Sequence, residues 1–193
     1  MAKTIFVSNR LATTAKLSPE GDLSFNRSVG GLATGLSSIH EQEDSLWIGW
    51  SGVTSDEVSD ELSSEISDTL LEEYKSVAVD VSSEELELFY AGFCNRTIWP
   101  LFHYFTTFVD YDERTWRAYE AINEKFFHKV AAYAEDGDLI WVHDYQLMLL
   151  PRLIKERFPN SPVGFFLHIP FPSYEVFRHL PWRNEILNGL LGS

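Results

Sequence analysis

One cysteine in 193 residues, Cys94, leaves no partner for an internal disulfide. A chain without such a crosslink fits a reducing cytoplasm. No run approaches the roughly 18 uninterrupted apolar residues of a membrane span. The opening Met-Ala-Lys-Thr-Ile-Phe-Val-Ser-Asn-Arg also lacks the apolar stretch of a secretory signal, so no membrane partner is expected. The six histidines stand singly, with no Cys partner and no HExxH spacing, which argues against a metal. No basic stripe marks a nucleic-acid partner. Internal repeats and low-complexity tracts are missing too.

What the chain has in excess is acid, in one place. Against 29 acidic residues stand 15 lysines and arginines, for a net charge of −14. Residues 41–87 hold fifteen of those acids and a single base, Lys75, so the rest of the chain is neutral. A local surplus of this kind reads as a solvated helix face. The neutral remainder still offers Arg10, Arg27 and Arg96 to an anionic small substrate.

With 45% apolar residues the chain can bury a core as one domain, 1–193. Lys3–Ser8, Leu46–Trp50, Val77–Val81, Leu139–Val142 and Val163–Leu167 are short apolar runs of buried-strand type, without polar alternation. Between them lie helical patterns at Leu32–His40, Val58–Tyr74, from Ser82 onward, and at Gln146–Arg157. The strongest is Asp112–Ala134, where Trp116, Tyr119, Ile122, Phe126, Val130 and Tyr133 recur at spacings of three and four. Strand–helix alternation predicts an α/β fold, a Rossmann-like parallel sheet with helices on both faces. The closing stretch Asn184–Ser193 is helical and carries no tail. A doubly wound domain could end there, or the chain could be cut inside a larger protein.

Ligands of parallel α/β sheets bind at the carboxyl ends of the strands. That rule selects Ser8-Asn9-Arg10, Trp50-Ser51-Gly52, His143-Asp144-Tyr145 and the segment from His168 to Pro172. Each has an ordinary explanation beside a functional one. Arg10 is either a surface arginine or a planar fork for phosphate. Gly30-Gly31 is either a turn or an unobstructed approach to a helix N-terminus for a diphosphate. Asp144 could simply cap the next helix, and His168 could be a satisfied core histidine. Trp99-Pro100-Leu101-Phe102-His103-Tyr104, with Tyr90 upstream, is aromatic core or a platform for pyranose faces.

The strings VSNR (7–10), GGLATGL (30–36), WIGWSG (47–52), FCNRTIWPLFHY (93–104), WVHDYQLMLLP (141–151) and GFFLHIPFPSYEVFRHLP (164–181) resemble trehalose-6-phosphate synthases, retaining glucosyltransferases of family 20. The resemblance runs in order over nearly the whole chain. It implies the N-terminal half of a two-domain GT-B enzyme that transfers glucose from UDP-glucose to glucose 6-phosphate. By motif match, Arg10 would grip the acceptor phosphate with Tyr90 and Trp99. Asp144 would bind acceptor hydroxyls, and Trp50 would shape that pocket. Gly30 and Gly31 would admit the donor diphosphate, and His168 would lie by the donor glucose. Asp144 and His168 are thus the catalytic candidates. Such enzymes are usually described as using front-face attack with no protein nucleophile and no metal or other cofactor. The C-terminal nucleotide-sugar domain, a partner in the reaction, is absent from this chain, and a homo-oligomer stays open. A glucosylglycerol-phosphate synthase would use the same phosphate handle, and a non-catalytic regulatory subunit is a further alternative. An NAD enzyme is disfavoured, because no G-x-G-x-x-G follows the first strand.

Overall fold

The computed structural model describes residues 2–18, 20–28, 31, 35–36, 39–40 and 44–193. The expected helix Leu32–His40 and Gly30 therefore lie wholly or largely outside the described residues. Strands β1 (Thr4–Arg10), β2 (Thr13–Leu17), β3 (Leu23–Arg27), β4 (Ser45–Trp50), β5 (Ser76–Val79), β6 (Leu139–His143) and β7 (Val163–Phe166) divide into two sheets. The main sheet has the order β5-β4-β1-β6-β7, and each of its pairings is parallel. This is the expected α/β architecture, with β1 at the centre.

Both faces of the sheet are covered, which is why its strands read as unbroken apolar runs. Ile5 and Val7 point to one side, where they join Ile48, Val77, Val79, Ile140 and Val142 in the larger core. Phe6, Trp47 and Ala78 point to the other and meet Ile66 and Leu70. Those two belong to helix α1 (Asp60–Tyr74), whose N-cap Ser59 accepts from the Leu62 amide. Glu61, Glu65, Asp68, Glu72 and Glu73 of α1 all face solvent. With Asp60, six of the fifteen acids in residues 41–87 thus lie on one hydrated helix, and the rest are spread over the flanking segments.

Ser82 and Glu85 form a reciprocal capping box that starts helix α2 (Ser83–Leu86). The chain then widens into a π-helix over Glu87–Ile98 and tightens again into α3 (Trp99–Phe102). Helix α4 (Glu113–Tyr133) fulfils the periodicity seen in the sequence, burying Trp116, Tyr119, Ile122, Phe126 and Val130, with Tyr133 only partly covered. Short helices α5 (Leu150–Arg157), α6 (Tyr174–Phe177) and α7 (Arg183–Leu190) complete the chain.

Three expectations need correction. The first strand continues through Ser8-Asn9-Arg10, so Arg10 ends β1 rather than following it. The helix expected from Gln146 begins only at Leu150, after a tight 3-10 turn over Tyr145–Leu147. Proline in the first turn of α5 explains the start, since its missing N–H costs nothing there. The β2–β3 hairpin was not foreseen. Its signal was the turn-forming segment from Ser18 to Asp22, where Gly21 takes φ 92°.

The closeness of β1 and β4 depends on one glycine. A Cβ on Gly49 would lie 2.8 Å from the Ser8 carbonyl oxygen and 2.9 Å from the Leu11 amide nitrogen. Both obstacles are backbone and cannot swing aside. Gly49→Ala should therefore destabilise the fold by about 1–3 kcal/mol, read as a lower urea midpoint. An unchanged midpoint would show that β1 and β4 can separate without cost.

Candidate functional site

Five parallel strands put their carboxyl ends on one rim, and the candidate residues follow from that. Arg10 ends β1, Trp50 ends β4, Asp144 directly follows β6, and His168 lies two residues past β7. The chain leaves β1 toward β4 and β5 on one side, while β6 and β7 lie on the other. The strand order thus reverses beside β1, where open α/β sheets form their ligand crevice. Arg10 and Asp144 flank that crevice.

Arg10 and Trp50 form one unit. The guanidinium carbon stands 4.7 Å from the centroid of the Trp50 ring, at cation–π distance. Trp50 is itself fixed, being buried, with its indole N–H donating to the Val53 carbonyl at 2.8 Å. Ser8 secures the backbone: its hydroxyl donates to the Arg10 carbonyl at 2.7 Å and accepts from the Trp47 indole at 2.8 Å. No carboxylate among the described residues pairs with Arg10. The arrangement is a held, exposed cation with its hydrogen-bonding fork free for an anion.

Asp144 sits in a backbone conformation that is nearly reserved for glycine, φ 75° and ψ 168°. Such a residue costs on the order of 1–3 kcal/mol and persists only where its surroundings hold it. They do so here. Its amide donates to the Phe166 carbonyl at 2.8 Å. Its Oδ1 accepts from the Tyr145 amide at 2.9 Å and from the His168 amide at 3.2 Å. Capping is thus part of its role, as the ordinary explanation had it, but the cap spans two strands. Burial pushes its carboxyl above the usual range, against the opposing pull of the two amides.

The support for this turn comes from α4 and was missed in the sequence. Tyr119 donates its hydroxyl to the Tyr145 carbonyl at 2.8 Å and accepts from the Met148 amide at 3.0 Å. Asn123 donates to the Gln146 carbonyl at 3.1 Å and to the Tyr119 carbonyl. With these partners the segment needs no helix to satisfy its backbone. One signal was available: Asn123 is a polar residue on the apolar stripe of α4, four places after Tyr119.

Tyr90 and Trp99 stand nine residues apart, which in an α-helix means two and a half turns and opposite faces. The segment that joins them is π-wound, with more residues per turn, so the α-helical count does not apply. Both are partly exposed, at 37% and 40%. Tyr90 lies near Tyr145, whose hydroxyl donates to Asn95 at 3.1 Å. Burial first, then the neighbouring Cys94, Tyr90 and Asp144, push the Tyr145 phenol far up. Trp99 stacks on His103 at 4.1 Å and on Phe105 at 6.0 Å. The aromatic string is therefore divided: Pro100, Leu101 and Phe102 are core, while Trp99 and Tyr104 are surface.

Gly31 is helical and exposed, and a Cβ there would meet nothing within 4 Å among the described residues. Among the described residues, neither crowding nor a positive φ demands a glycine at that position. His168 is exposed rather than a core histidine. Its Nε2 lies 3.2 Å from Nδ1 of His143, a buried residue absent from the sequence-derived candidates. Burial, then the charge of His168, lower the His143 pKa from 6.5 to about 4.

Comparison with known proteins identifies the family. The family described as glycosyltransferase family 20 matches residues 2–193. A bifunctional trehalose-6-phosphate synthase/phosphatase from Thermoproteus tenax is 47% identical, over 99% of this chain and 26% of its own length. A trehalose-6-phosphate protein from E. coli bound with UDP-2-fluoro glucose is 30% identical with a TM-score of 0.77, over 99% of this chain and 38% of that one. A UDP-forming alpha,alpha-trehalose-phosphate synthase from Burkholderia xenovorans, solved in complex with glucose-6-phosphate, is 26% identical with a TM-score of 0.74, covering 98% and 38%. The chain thus spans about a quarter to two-fifths of the length of these proteins, and it matches them through the same parallel α/β sheet. From its first strand to its last helix, this chain belongs to glycosyltransferase family 20.

Proposed function

We propose that this chain is the acceptor-binding part of an enzyme that transfers glucose from UDP-glucose to glucose 6-phosphate, giving trehalose 6-phosphate and UDP with retention. The observation that carries the proposal is Arg10, a guanidinium unpaired among the described residues and held over Trp50 at the switch point of the sheet. A sugar phosphate supplies the charge that this fork lacks. The Burkholderia relative, solved with glucose-6-phosphate, supports that choice of ligand, and the E. coli relative with UDP-2-fluoro glucose supports the donor. The names of these relatives favour trehalose-phosphate synthesis over glucosylglycerol-phosphate synthesis or a regulatory subunit.

In this assignment Arg10 binds the acceptor phosphate, with Tyr90 and Trp99 packed beside the sugar and Trp50 keeping the guanidinium in place. The carboxylate of Asp144 has one oxygen, Oδ1, committed to backbone amides, which leaves the other for acceptor hydroxyls. Gly30 and Gly31 admit the donor diphosphate, and the space left open at Gly31 among the described residues suits that role. His168 lies by the donor glucose. No covalent step on the protein is invoked, and no metal: the leaving diphosphate takes the acceptor's proton. Positioning and charge stabilisation then supply the acceleration. The cations that stabilise the diphosphate come from the C-terminal domain of a longer protein, acting in the cytoplasm. No helix among the described residues is long and apolar enough to cross a membrane.

Arg10→Ala in the full-length protein should weaken glucose 6-phosphate binding by on the order of 1.5–3 kcal/mol, the worth of a charged hydrogen bond. UDP-glucose affinity should stay unchanged. Equal losses for both ligands in calorimetry would make Arg10 a structural residue.

Residues 1–193 alone should release no measurable UDP from UDP-glucose and glucose 6-phosphate. Loss of one preorganised donor to a developing charge costs about 2.7–4 kcal/mol, and an isolated acceptor part lacks several. Turnover at an ordinary transferase rate would place the donor machinery within this chain.

A further inference from the structure

The buried His143 ring faces His168 nitrogen to nitrogen at 3.2 Å, and its other nitrogen, Nε2, has no hydrogen-bond partner among the described residues. Burial keeps His143 neutral through the physiological range. Between two neutral imidazoles one nitrogen donates and the other accepts, so the pair has two arrangements. If His168 donated, His143 would carry its own proton on Nε2 and bury an unpaired N–H. If His143 donates from Nδ1, its Nε2 is left as a bare lone pair. Orphaned buried N–H groups are rarer than under-satisfied acceptors, and a buried donor without a partner bears its full desolvation cost. The second arrangement wins.

We propose that His143 is a positioning residue that donates from Nδ1 to Nε2 of His168 and so holds His168 protonated on Nδ1. Free histidine side chains prefer the opposite tautomer, so the contact reverses an intrinsic bias. The ring edge of His168 turned away from His143 then presents an N–H donor. Asp144 completes the grip by accepting from the His168 amide at 3.2 Å. Adjacent residues of one motif thus fix the backbone and the ring of His168 separately. The consequence for chemistry rests on His168 lying by the donor glucose, as proposed above: the N–H is available to an oxygen of that sugar, and the acceptor role is closed.

Long-range proton–nitrogen spectra of the histidine-labelled protein, taken slightly above neutral pH, read the tautomer directly. His168→Gln identifies the His168 signals by their loss. In the unsubstituted protein His168 should show a protonated Nδ1 and a bare Nε2. His143→Phe should shift the majority of His168 to the Nε2-protonated form. His143→Asn, whose amide N–H can stand near the original Nδ1, should restore the first pattern. A protonated Nε2 in the unsubstituted protein overturns the proposal, as does a His168 spectrum indifferent to His143→Phe. In the full-length protein His143→Phe should lower kcat about tenfold and leave the KM for glucose 6-phosphate unchanged. If the spectra behave as stated while kcat does not move, the tautomer control stands and the assignment of His168 to the donor sugar falls.

Discussion

Strand β1 is hydrogen-bonded in parallel on both sides, to β4 and to β6, and the rest of the molecule depends on that double pairing. Parallel pairing fixes which end of each strand is which, so Arg10, Trp50 and Asp144 must emerge together. It also buries both faces of the sheet. Ile5 and Val7 go to one core and Phe6 to the other, so even a one-residue slip would exchange the two. The close approach at Gly49 locks β4 against β1 where Trp50 has to meet Arg10. A site assembled from strand ends inherits the rigidity of the sheet beneath it.

The rim itself is less comfortable. Asp144 occupies a conformation that costs free energy, and the 3-10 turn after it departs from α-helical geometry. Both are stabilised from outside: Phe166 through its carbonyl, Tyr119 and Asn123 through their side chains. The bonds from Tyr119 and Asn123 are buried, where an unmade bond is expensive. The strain is therefore held by groups that have no better alternative. It aims the Asp144 carboxylate across the strand ends, within reach of the His168 amide.

Charge is separated by location. The acids of α1 face solvent on the side of the sheet away from the larger core. At the rim the exposed guanidinium of Arg10 stays unpaired among the described residues, whereas Arg96, Arg114, Arg117, Arg152 and Arg178 have carboxylate partners at the surface. A cation kept free is of use to an anionic ligand. The surface pairs contribute little to stability in water.

Much of this was legible in the chain. Apolar runs of strand length, the stripe from Trp116 to Val130, and the Ser82–Glu85 cap follow from local chemistry, because burial on two faces and the helical period leave direct marks in residue order. The strand-end rule then pointed to Arg10, Trp50, Asp144 and His168. Other features left no such mark. The tight turn at Tyr145–Leu147 looked helical, since its partners Tyr119 and Asn123 lie more than twenty residues away. That the segment between Tyr90 and Trp99 is π-wound also left no mark in the residue order. His143 looked like one more strand residue until the fold set its ring against His168. The sequence alone determined which segments would be buried and at which strand ends polar groups would gather, because both depend on neighbours within a few residues. The tertiary structure alone decided the conformation of Asp144 and the pairing of the two histidines, because their hydrogen-bond partners come from strands and helices distant in the chain.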